Sequence, residues 1–322
     1  MQASAVSARP GWRLGTRRTM AREVAPLRTA RARWQAQLGN GRWLRVLLQR
    51  TFPLWERLGV HVTPAHYAQP IPICRDLGDR PWAEPSDMIG VRSDPEAQLA
   101  WLESVVARFG GELPPGGPMF NAADAAVLHL VLRDARPRRV IEVGGGESTR
   151  VTARALALNA RDGAPAAELT TIEPHPDPLL RRGLPGVTRL ITSRVQDVPL
   201  DVFAALEAGD VLFIDSSHVL AIGSDVQYEL LEIAPRVAPG VLVHVHDVFL
   251  PDEYPRPWVM RNRWFWNEQY LLQAFLCFND AFEIVWAGAH AARADGDRVR
   301  AALPGFARDT RRPGSFWMRR VR

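Results

Sequence analysis

Lysine is absent from this 322-residue sequence, so its 40 basic residues are all arginine, and cysteine occurs only twice. Cys74 and Cys277 lie far apart and form no CxxC pair, which excludes a disulfide framework and a cysteine-based zinc site. No run approaches the roughly 18 to 20 apolar residues that a membrane span requires, and no apolar signal-peptide core follows the N-terminal arginines. We therefore expect a cytoplasmic protein without a transmembrane segment.

The formal net charge of +5 hides an uneven distribution. Residues 1–58 hold twelve arginines against Glu23 and Glu56, and residues 307–322 hold six arginines against Asp309. Residues 59–306 therefore carry a net charge of −10. An acidic body with basic ends is a poor platform for nucleic acid, but it suits a cationic ligand or a metal ion.

Apolar periodicity divides the chain into three parts. Residues 1–20 lack periodicity and predict a flexible basic arm, and residues 21–85 predict a helical extension followed by a proline-rich linker. Residues 86–322 are expected to form one domain. Near its start, Asp94-Pro95 and Asn121 are typical first residues of helices.

From Arg139 onward, short β-rich runs alternate with helical stretches. The runs are RVIEV, LTTIE, VTRLITSRV, DVLFIDS and GVLVHVHDVF. This alternation predicts an α/β fold with a doubly wound, mostly parallel, Rossmann-like sheet covered by helices on both faces. Two later runs, at 282–288 and 315–320, predict an antiparallel edge at the C-terminus.

Residues at the carboxyl ends of the strands are the candidates for ligand binding, because ligands of such sheets bind beyond those ends. The first strand is followed by a glycine turn that lets a ligand approach the backbone before a helix begins. The candidate residues of this turn are Glu142, Gly144, Gly145, Gly146 and Ser148. A tight turn without a ligand is the alternative explanation.

The ligand expected at this turn is S-adenosylmethionine rather than NAD. Glu147 would repel a pyrophosphate at the helix start, whereas the sulfonium of S-adenosylmethionine would be attracted by Glu142 and its neighbouring carboxylates. Glu173, after the second strand, is placed to accept both ribose hydroxyls, and Asp197, after the third, is placed to meet the adenine amine. Asp215 follows the fourth strand and completes the series, although helix capping would explain any one of these acids alone.

Six segments carry a resemblance to a known family. They are IEVGGGEST, TTIEPHP, RVQDVPL, LFIDSSHV, GSDVQYELLEIAPRVAPGVLVHVHDVFLPDEYP and WNEQYLLQAFLCFNDAFEIV. These segments resemble class I S-adenosylmethionine-dependent methyltransferases, in particular the bacterial family-24 methyltransferase domain. The resemblance extends from about His66 to Arg320, and it implies a methyltransferase fold and activity. GGGES and AIGSD depart from the more usual G-S-G and KPGSD.

Beyond the cofactor, Asp215 and His218 follow the fourth strand, and His246 and Asp247 end the fifth. Adjacent parallel strands would bring Asp215, His246 and Asp247 together as ligands of Mg²⁺ or Mn²⁺, unless these side chains cap turns. Metal-dependent O-methyltransferases of the superfamily look similar here, although His246 stands where Glu or Asp is usual. Asp215, His218 and His246 are the candidate catalytic residues, with either histidine as general base if no metal is bound.

The leading hypothesis is an enzyme that moves a methyl group to an oxygen atom, less favourably to nitrogen, of a small-molecule acceptor. An aromatic run after the fifth strand would cover that acceptor or, alternatively, pack in the core or at a dimer contact. It comprises Tyr254, Trp258, Trp264, Phe265, Trp266 and Tyr270.

Two alternatives to this hypothesis stay open. One is an RNA methyltransferase using the basic N-terminal segment, although DSSH stands where nucleic-acid amino methyltransferases typically show D/N-P-P-Y/F. The other is a non-catalytic binding or assembly protein on the same fold. Nucleic acid is disfavoured as a partner, and a homo-oligomer is compatible with the sequence.

Overall fold

The computed structural model describes residues 42–66, 68–306, 308–309 and 311–322. Contacts divide the chain into two compact units, Met1–Pro70 and Ile71–Arg322. The predicted basic arm at residues 1–20 lies outside the described residues. No helix in the described ranges combines the length and apolar character needed to cross a membrane.

The described part of the first unit contains one long helix, α1, at Arg42–Arg57. It falls within the helical extension that the sequence predicts, whereas residues 21–41 of that extension lie outside the described residues. Several apolar side chains of α1 are exposed, among them Trp43 at 68% and Leu54 at 55%.

A seven-stranded sheet forms the centre of the second unit. Its strands are Arg139–Val143 (β1), Glu168–Ile172 (β2), Arg189–Ile191 (β3), Val211–Ile214 (β4), Leu242–Val245 (β5), Phe282–Ala287 (β6) and Phe316–Arg320 (β7). The spatial order is β3-β2-β1-β4-β5-β7-β6, with β1 to β5 parallel and β7 antiparallel to both of its neighbours. The doubly wound, mostly parallel sheet with an antiparallel C-terminal edge is confirmed.

The second unit contains ten α-helices among its described residues, and several of them cover the two faces of the sheet. Their bounds are Arg80–Ala83 (α2), Pro95–Phe109 (α3), Ala122–Ala135 (α4), Glu147–Arg161 (α5), Pro178–Arg181 (α6), Leu200–Ala204 (α7), Asp225–Tyr228 (α8), Glu268–Leu276 (α9), Gly288–Ala294 (α10) and Gly296–Ala302 (α11). The two helix starts predicted from sequence are confirmed: Asp94 accepts a hydrogen bond from Ala97 N at 3.1 Å, and Asn121 accepts one from Asp124 N at 2.9 Å.

The core lies on the two faces of the sheet. On one face, Val140, Phe213 and Trp317 pack with apolar residues of α3, α4 and α5. On the other, Ile141 and Val243 pack with residues of α7, α8 and α9. Because both faces are buried, β4 consists entirely of apolar residues and β5 holds one polar residue, His244, which is typical of parallel sheets.

The proline-rich passage differs from the predicted linker, because residues 71–85 belong to the second unit. Trp82 Nε1 donates a hydrogen bond to Tyr254 O at 2.9 Å. Its ring packs in an apolar cluster with Tyr254 and Val259. These contacts place the boundary after Pro70 rather than after residue 85, since they join the passage to the loop that follows β5.

Candidate active site

The glycine turn after β1 brings that strand's end against the end of β4. Gly144 has a φ of +85°, and a Cβ built on it would lie 1.8 Å from Asp215 O, so only glycine is compatible with this approach. A Cβ on Gly145 would lie 2.5 Å from Thr171 Cγ2. A Cβ on Gly146, by contrast, would meet nothing within 4 Å. The turn is therefore tight at its base and open above Gly146.

A cleft of about 420 Å³ lies over this turn. Its lining residues are Met119, Phe120, Gly144, Gly145, Gly146, Glu147, Ser148, Arg150, Glu173, Asp177 and Asp215. The charged side chains among them are four carboxylates and one guanidinium, so the cleft is electronegative. Its volume lies within the range typical of small-molecule sites.

Glu142 and Ser148 are not positioned alike. Glu142 is fully buried below the cleft, where its carboxylate accepts hydrogen bonds from Ser148 Oγ at 2.8 Å and Thr171 Oγ1 at 3.1 Å. Burial raises the pKa of Glu142 to about 7, despite these hydrogen bonds. Ser148 lines the cleft, but its hydroxyl is occupied by Glu142.

Glu173 and Asp197 also differ in their surroundings. Glu173 lies on the cleft, where its carboxylate accepts hydrogen bonds from Gly145 N at 3.2 Å and His175 N at 2.7 Å. Asp197 is exposed, does not line this cleft and pairs with Arg194 at 2.9 Å. The structure therefore joins Glu173, but not Asp197, to the glycine turn.

A cluster of acids and histidines adjoins the cleft at the ends of β4 and β5. His218 Nε2 lies 3.4 Å from Asp215 Oδ1 and 3.9 Å from Asp247 Oδ2. On the other side of the ring, His218 Nδ1 lies 3.0 Å from Glu268 Oε2. His246 Nε2 lies 3.8 Å from Asp247 Oδ1. The structure thus places Asp215, His218, His246 and Asp247 in one cluster.

The backbone of this cluster adopts an uncommon conformation at two non-glycine residues. His218 has a φ of +61° and Asp247 a φ of +55°, both in the left-handed region. The start of α9 holds the backbone of His218 in place, because Asn267 N and Glu268 N donate hydrogen bonds to His218 O at 3.0 and 3.3 Å. Residues held in such conformations concentrate at functional sites.

The electrostatics of the cluster favour the charged forms of Asp215, His218 and His246, whereas burial raises the pKa of Asp247 and of Glu268. Burial would lower the pKa of His218, but hydrogen bonds to Asp215 and Glu268 hold that pKa well above its ordinary value. Burial likewise opposes the charge on His246, yet the nearby carboxylates Asp215 and Asp247 raise its pKa. Although burial opposes its charge too, Asp215 has a lowered pKa because His246 and His218 stabilise the carboxylate.

His244 lies on the same face of β5 as His246, as strand alternation predicts, with the two rings' Nε2 and Nδ1 atoms 3.4 Å apart. Its ring stacks on Phe213 at a centroid distance of 4.2 Å. Burial lowers the pKa of His244 well below its ordinary value. It therefore packs as a neutral core residue beneath the cluster.

Across the part of the chain that the structure describes, no group of three or more His, Cys, Asp or Glu side chains is placed to hold a metal ion. Asp215 and Asp247 both face His218 Nε2 instead. The ligand set Asp215, His246 and Asp247 stays a prediction of the sequence.

Residues that sequence reasoning did not assign complete the site. Glu268, fully buried, lies 50 positions after His218 along the chain and reaches its ring from α9. Glu147 Oε2 accepts hydrogen bonds from Met119 N at 3.0 Å and Phe120 N at 2.8 Å. These bonds hold the loop before α4 at the wall of the cleft. Glu268 belongs to the WNEQY segment, whose resemblance marked the position without indicating its role.

The aromatic run after β5 forms one packed cluster. Trp266 contacts Trp258 and Trp264, each at a centroid distance of 5.1 Å. Its ring also lies 4.3 Å from the ring of His218. The aromatic residues therefore pack against one another, and Trp266 also contacts His218 of the acid-histidine cluster.

Comparison with known proteins agrees with this architecture. Residues 141–248, about a third of the chain, match the family described as a methyltransferase domain. This segment is therefore similar to methyltransferase domains. The match includes the glycine turn, Glu173 and the strand-end residues of β4 and β5, and it confirms the resemblance that the sequence segments carry.

Relatives outside this family match are distant. An uncharacterised protein of Archaeoglobus fulgidus is 29% identical over 164 residues, covering 45% of this chain and 73% of its own length. The O-methyltransferase TomG of Streptomyces achromogenes, involved in tomaymycin synthesis and solved with S-adenosylmethionine, has 18% identity, a TM-score of 0.37 and coverage of 72% and 92%. An O-methyltransferase of Bacillus cereus has 16% identity, a TM-score of 0.36 and the same coverage.

Proposed function

We propose that this methyltransferase transfers the methyl group of S-adenosylmethionine to an oxygen atom of a small-molecule acceptor in the cytoplasm. The position of Asp215 carries the proposal. Its side chain lines the electronegative cleft above the glycine turn, and the same carboxylate lies 3.4 Å from His218 in the cluster. Asp215 therefore belongs both to the cleft that would bind the methyl donor and to the acid-histidine cluster that would contact the methyl acceptor.

We call the cleft above the glycine turn the cofactor cleft. Its lining residues are suited to S-adenosylmethionine. The space above Gly146 leaves the backbone open to a ligand, and Glu173 offers a carboxylate to hydroxyl groups at the cleft wall. The surplus of carboxylates favours a cation over a phosphate-bearing dinucleotide. When bound, S-adenosylmethionine would supply an electrophilic methyl group on a positively charged sulfur.

Asp215 is the residue that we assign to the acceptor hydroxyl. Its lowered pKa keeps the carboxylate ionised, so it accepts a hydrogen bond from that hydroxyl and orients the oxygen. A hydroxyl becomes strongly acidic only while its oxygen gains the new bond to carbon, so a carboxylate of low pKa is basic enough to take the proton. In this proposal His218 and His246 do not act as the general base. Their positive charges stabilise the carboxylate of Asp215.

The same observations disfavour the two alternatives. RNA is a poor match to an electronegative cleft in a body with a net charge of −10 over residues 59–306. A non-catalytic assembly protein would need neither the left-handed backbone at His218 and Asp247 nor a cluster of buried ionisable groups beside an open cleft.

Isothermal titration calorimetry with S-adenosylmethionine tests the proposal directly. We expect micromolar binding to the wild-type protein, and Glu173→Ala should weaken it at least tenfold, about 1.4 kcal/mol, because a charge-assisted acceptor of hydroxyl groups is lost. Glu168→Ala is the matched control, since Glu168 is an exposed residue at the opposite end of β2. Tight NAD binding without any heat from S-adenosylmethionine would refute the cofactor assignment.

The divalent metal predicted at Asp215, His246 and Asp247 has no part in the proposed proton transfer. Mn²⁺ titration followed by electron paramagnetic resonance tests it without an acceptor. One bound equivalent that disappears in Asp215→Asn would support the ligand set, whereas equal Mn²⁺ binding by wild type and variant would reject it.

A further inference from the structure

A second cleft, of about 560 Å³, lies beside the loop that connects α11 to β7. We call it the arginine cleft. Its charged lining residues are Arg293, Arg300, Arg311, Arg312, Asp252 and Asp309. Its apolar lining includes the ring of Phe306.

The arginine cleft adjoins the candidate active site through two contacts. Arg312 lies two residues before Gly314, whose O accepts a hydrogen bond from Val248 N at 2.9 Å and whose Cα would carry a Cβ only 3.0 Å from Asp247 Cα. Arg311 donates hydrogen bonds to Gly117 O and Pro118 O, both at 2.8 Å. These carbonyls belong to the loop that Glu147 fastens over the cofactor cleft.

The charges of the arginine cleft are not balanced within it. Arg293 and Arg312 both pair with the single carboxylate of Asp252, and Arg311 pairs with Asp309. Among the described residues, Arg300 pairs with Asp297 alone, a side chain that is 93% exposed. Four guanidinium groups against two carboxylates leave two positive charges, in contrast to the electronegative cofactor cleft.

A phosphoryl group matches this arrangement better than a carboxylate does. A phosphate monoester carries a charge of about −1.5 to −2 at neutral pH, which would balance the two surplus positive charges. Arg293 on α10, Arg300 on α11 and Arg312 in the following loop keep donors that can reach its oxygens, whereas those of Arg311 are taken by Asp309, Gly117 O and Pro118 O. A carboxylate offers one charge and two oxygens, and Asp252 already supplies that to Arg293 and Arg312.

We propose that the arginine cleft binds a phosphoryl group carried by the acceptor substrate, next to the apolar surface of Phe306. The proposal rests on the methyl transfer proposed above and adds the chemical class of the acceptor: a small organic phosphate that also carries a hydroxyl group.

Calorimetry on the full chain at constant ionic strength tests this with three probes: phenyl phosphate, inorganic phosphate and benzoate. We expect saturable binding of phenyl phosphate, weaker binding of inorganic phosphate because it lacks an apolar body, and at least tenfold weaker binding of benzoate. Failure of phenyl phosphate to saturate, or equal affinity for benzoate, would overturn the proposal.

Variants locate the binding. The double variant Arg293→Gln/Arg300→Gln should weaken phenyl phosphate binding at least tenfold, whereas Arg319→Gln should change it less than twofold. Arg319 is the matched control, because it pairs with Glu283 beside the opposite end of β5. Arg300→Gln alone, which removes only an exposed ion pair, keeps the test usable if the double variant does not fold, with a threefold loss expected. Equal effects of Arg300→Gln and Arg319→Gln would place the phosphoryl group elsewhere.

Titration of S-adenosylmethionine into the same samples separates the two proposals. Its unchanged binding together with failed phenyl phosphate binding would reject only the phosphoryl proposal. Phenyl phosphate binding that depends on Arg300 while S-adenosylmethionine fails to bind would support the phosphoryl site and refute the proposed donor.

Discussion

Glu142 is a carboxylic acid with no exposed surface, enclosed between the end of β1 and the start of α5. Ser148 and Thr171 donate hydrogen bonds to its two oxygens, so the group is satisfied but cut off from water. Burial raises the pKa of Glu142 to about 7, above the ordinary value near 4.5. The folded state therefore prefers the protonated acid between these two pH values.

From this preference we expect a pH-dependent stability. Between about pH 4.5 and pH 7 the unfolded chain releases the Glu142 proton while the folded chain retains it, so stability falls as pH rises through the folded pKa. The full cost above pH 7 is about 3 kcal/mol. Glu142→Gln removes the ionisation, so urea unfolding at pH 5 and pH 8 should show a smaller loss of stability in this variant.

The control for this measurement is Glu168→Gln, at an exposed position on the neighbouring strand. It should lose stability between the two pH values to the same extent as the wild-type protein. Identical pH dependence in Glu142→Gln and wild type would contradict the assignment.

The glycine turn gives a second prediction at the scale of single residues. Gly144→Ala should destabilise the fold by at least about 3 kcal/mol, because its Cβ would overlap Asp215 O and its φ of +85° disfavours alanine. Gly146→Ala should fold with nearly unchanged stability, since its Cβ meets open space. It should nevertheless weaken S-adenosylmethionine binding, because that space belongs to the cleft.

Thermal unfolding and calorimetry of the two glycine variants give the readouts. A Gly146→Ala protein that binds S-adenosylmethionine as tightly as wild type would place the cofactor away from the turn. A fully stable Gly144→Ala protein would show that β1 and β4 do not approach as described.

At the scale of elements, the loop before α4 depends on the first residue of α5. Glu147 accepts backbone hydrogen bonds from Met119 and Phe120, and a Cβ on Gly117 would lie 2.2 Å from its Oε2. Phe120 in turn lies 4.9 Å, centroid to centroid, from His246. The loop thus connects the helix start to the cluster and forms one wall of the cofactor cleft.

Glu147→Ala should loosen this loop. Loss of two charge-assisted hydrogen bonds should increase amide hydrogen exchange at Met119 and Phe120 at least tenfold, about 1.4 kcal/mol of local stability. Hydrogen-exchange mass spectrometry of the peptide containing residues 116–120 measures this. Asp94→Ala, which removes the cap of α3, is the control and should leave that peptide unchanged. Unaltered exchange in Glu147→Ala would show that other contacts hold the loop.

The strands show how far sequence determines the elements. RVIEV predicts β1 to the residue, because a strand paired on both sides and buried on both faces needs an uninterrupted β-rich run. The run VTRLITSRV predicts more than β3, which covers only Arg189–Ile191 and pairs with β2 alone. At an edge, side-chain pattern no longer determines where pairing stops.

The candidate site was predictable where the sheet itself brings residues together. Asp215 and Asp247 follow neighbouring parallel strands, so their proximity follows from strand order. Glu268 comes from a helix outside that pattern, and only the packing of α9 brings it to His218. Asp197 follows a strand end but pairs with Arg194, an interaction that strand order does not encode.

At the scale of the whole molecule, the chemistry is concentrated in one of the two units. The residues of the cofactor cleft, the acid-histidine cluster and the arginine cleft all lie within Ile71–Arg322. The strongest positive charge, by contrast, is in residues 1–58, where twelve arginines face two glutamates. Binding of the cofactor should therefore not depend on the basic arm.

Deletion of residues 1–20 tests this separation. We expect the truncated protein to bind S-adenosylmethionine within twofold of the full chain, because the described residues that line the cofactor cleft all lie within Ile71–Arg322. Calorimetry measures the affinity, and filter binding to a mixed RNA sample at two salt concentrations shows whether the arm contacts polyanions. RNA binding that is lost on truncation, while cofactor affinity is retained, would assign the arm to a separate interaction. If RNA binding and methyl transfer to RNA disappeared together, the small-molecule assignment would give way to an RNA methyltransferase, since the basic segment would then deliver the substrate to Asp215.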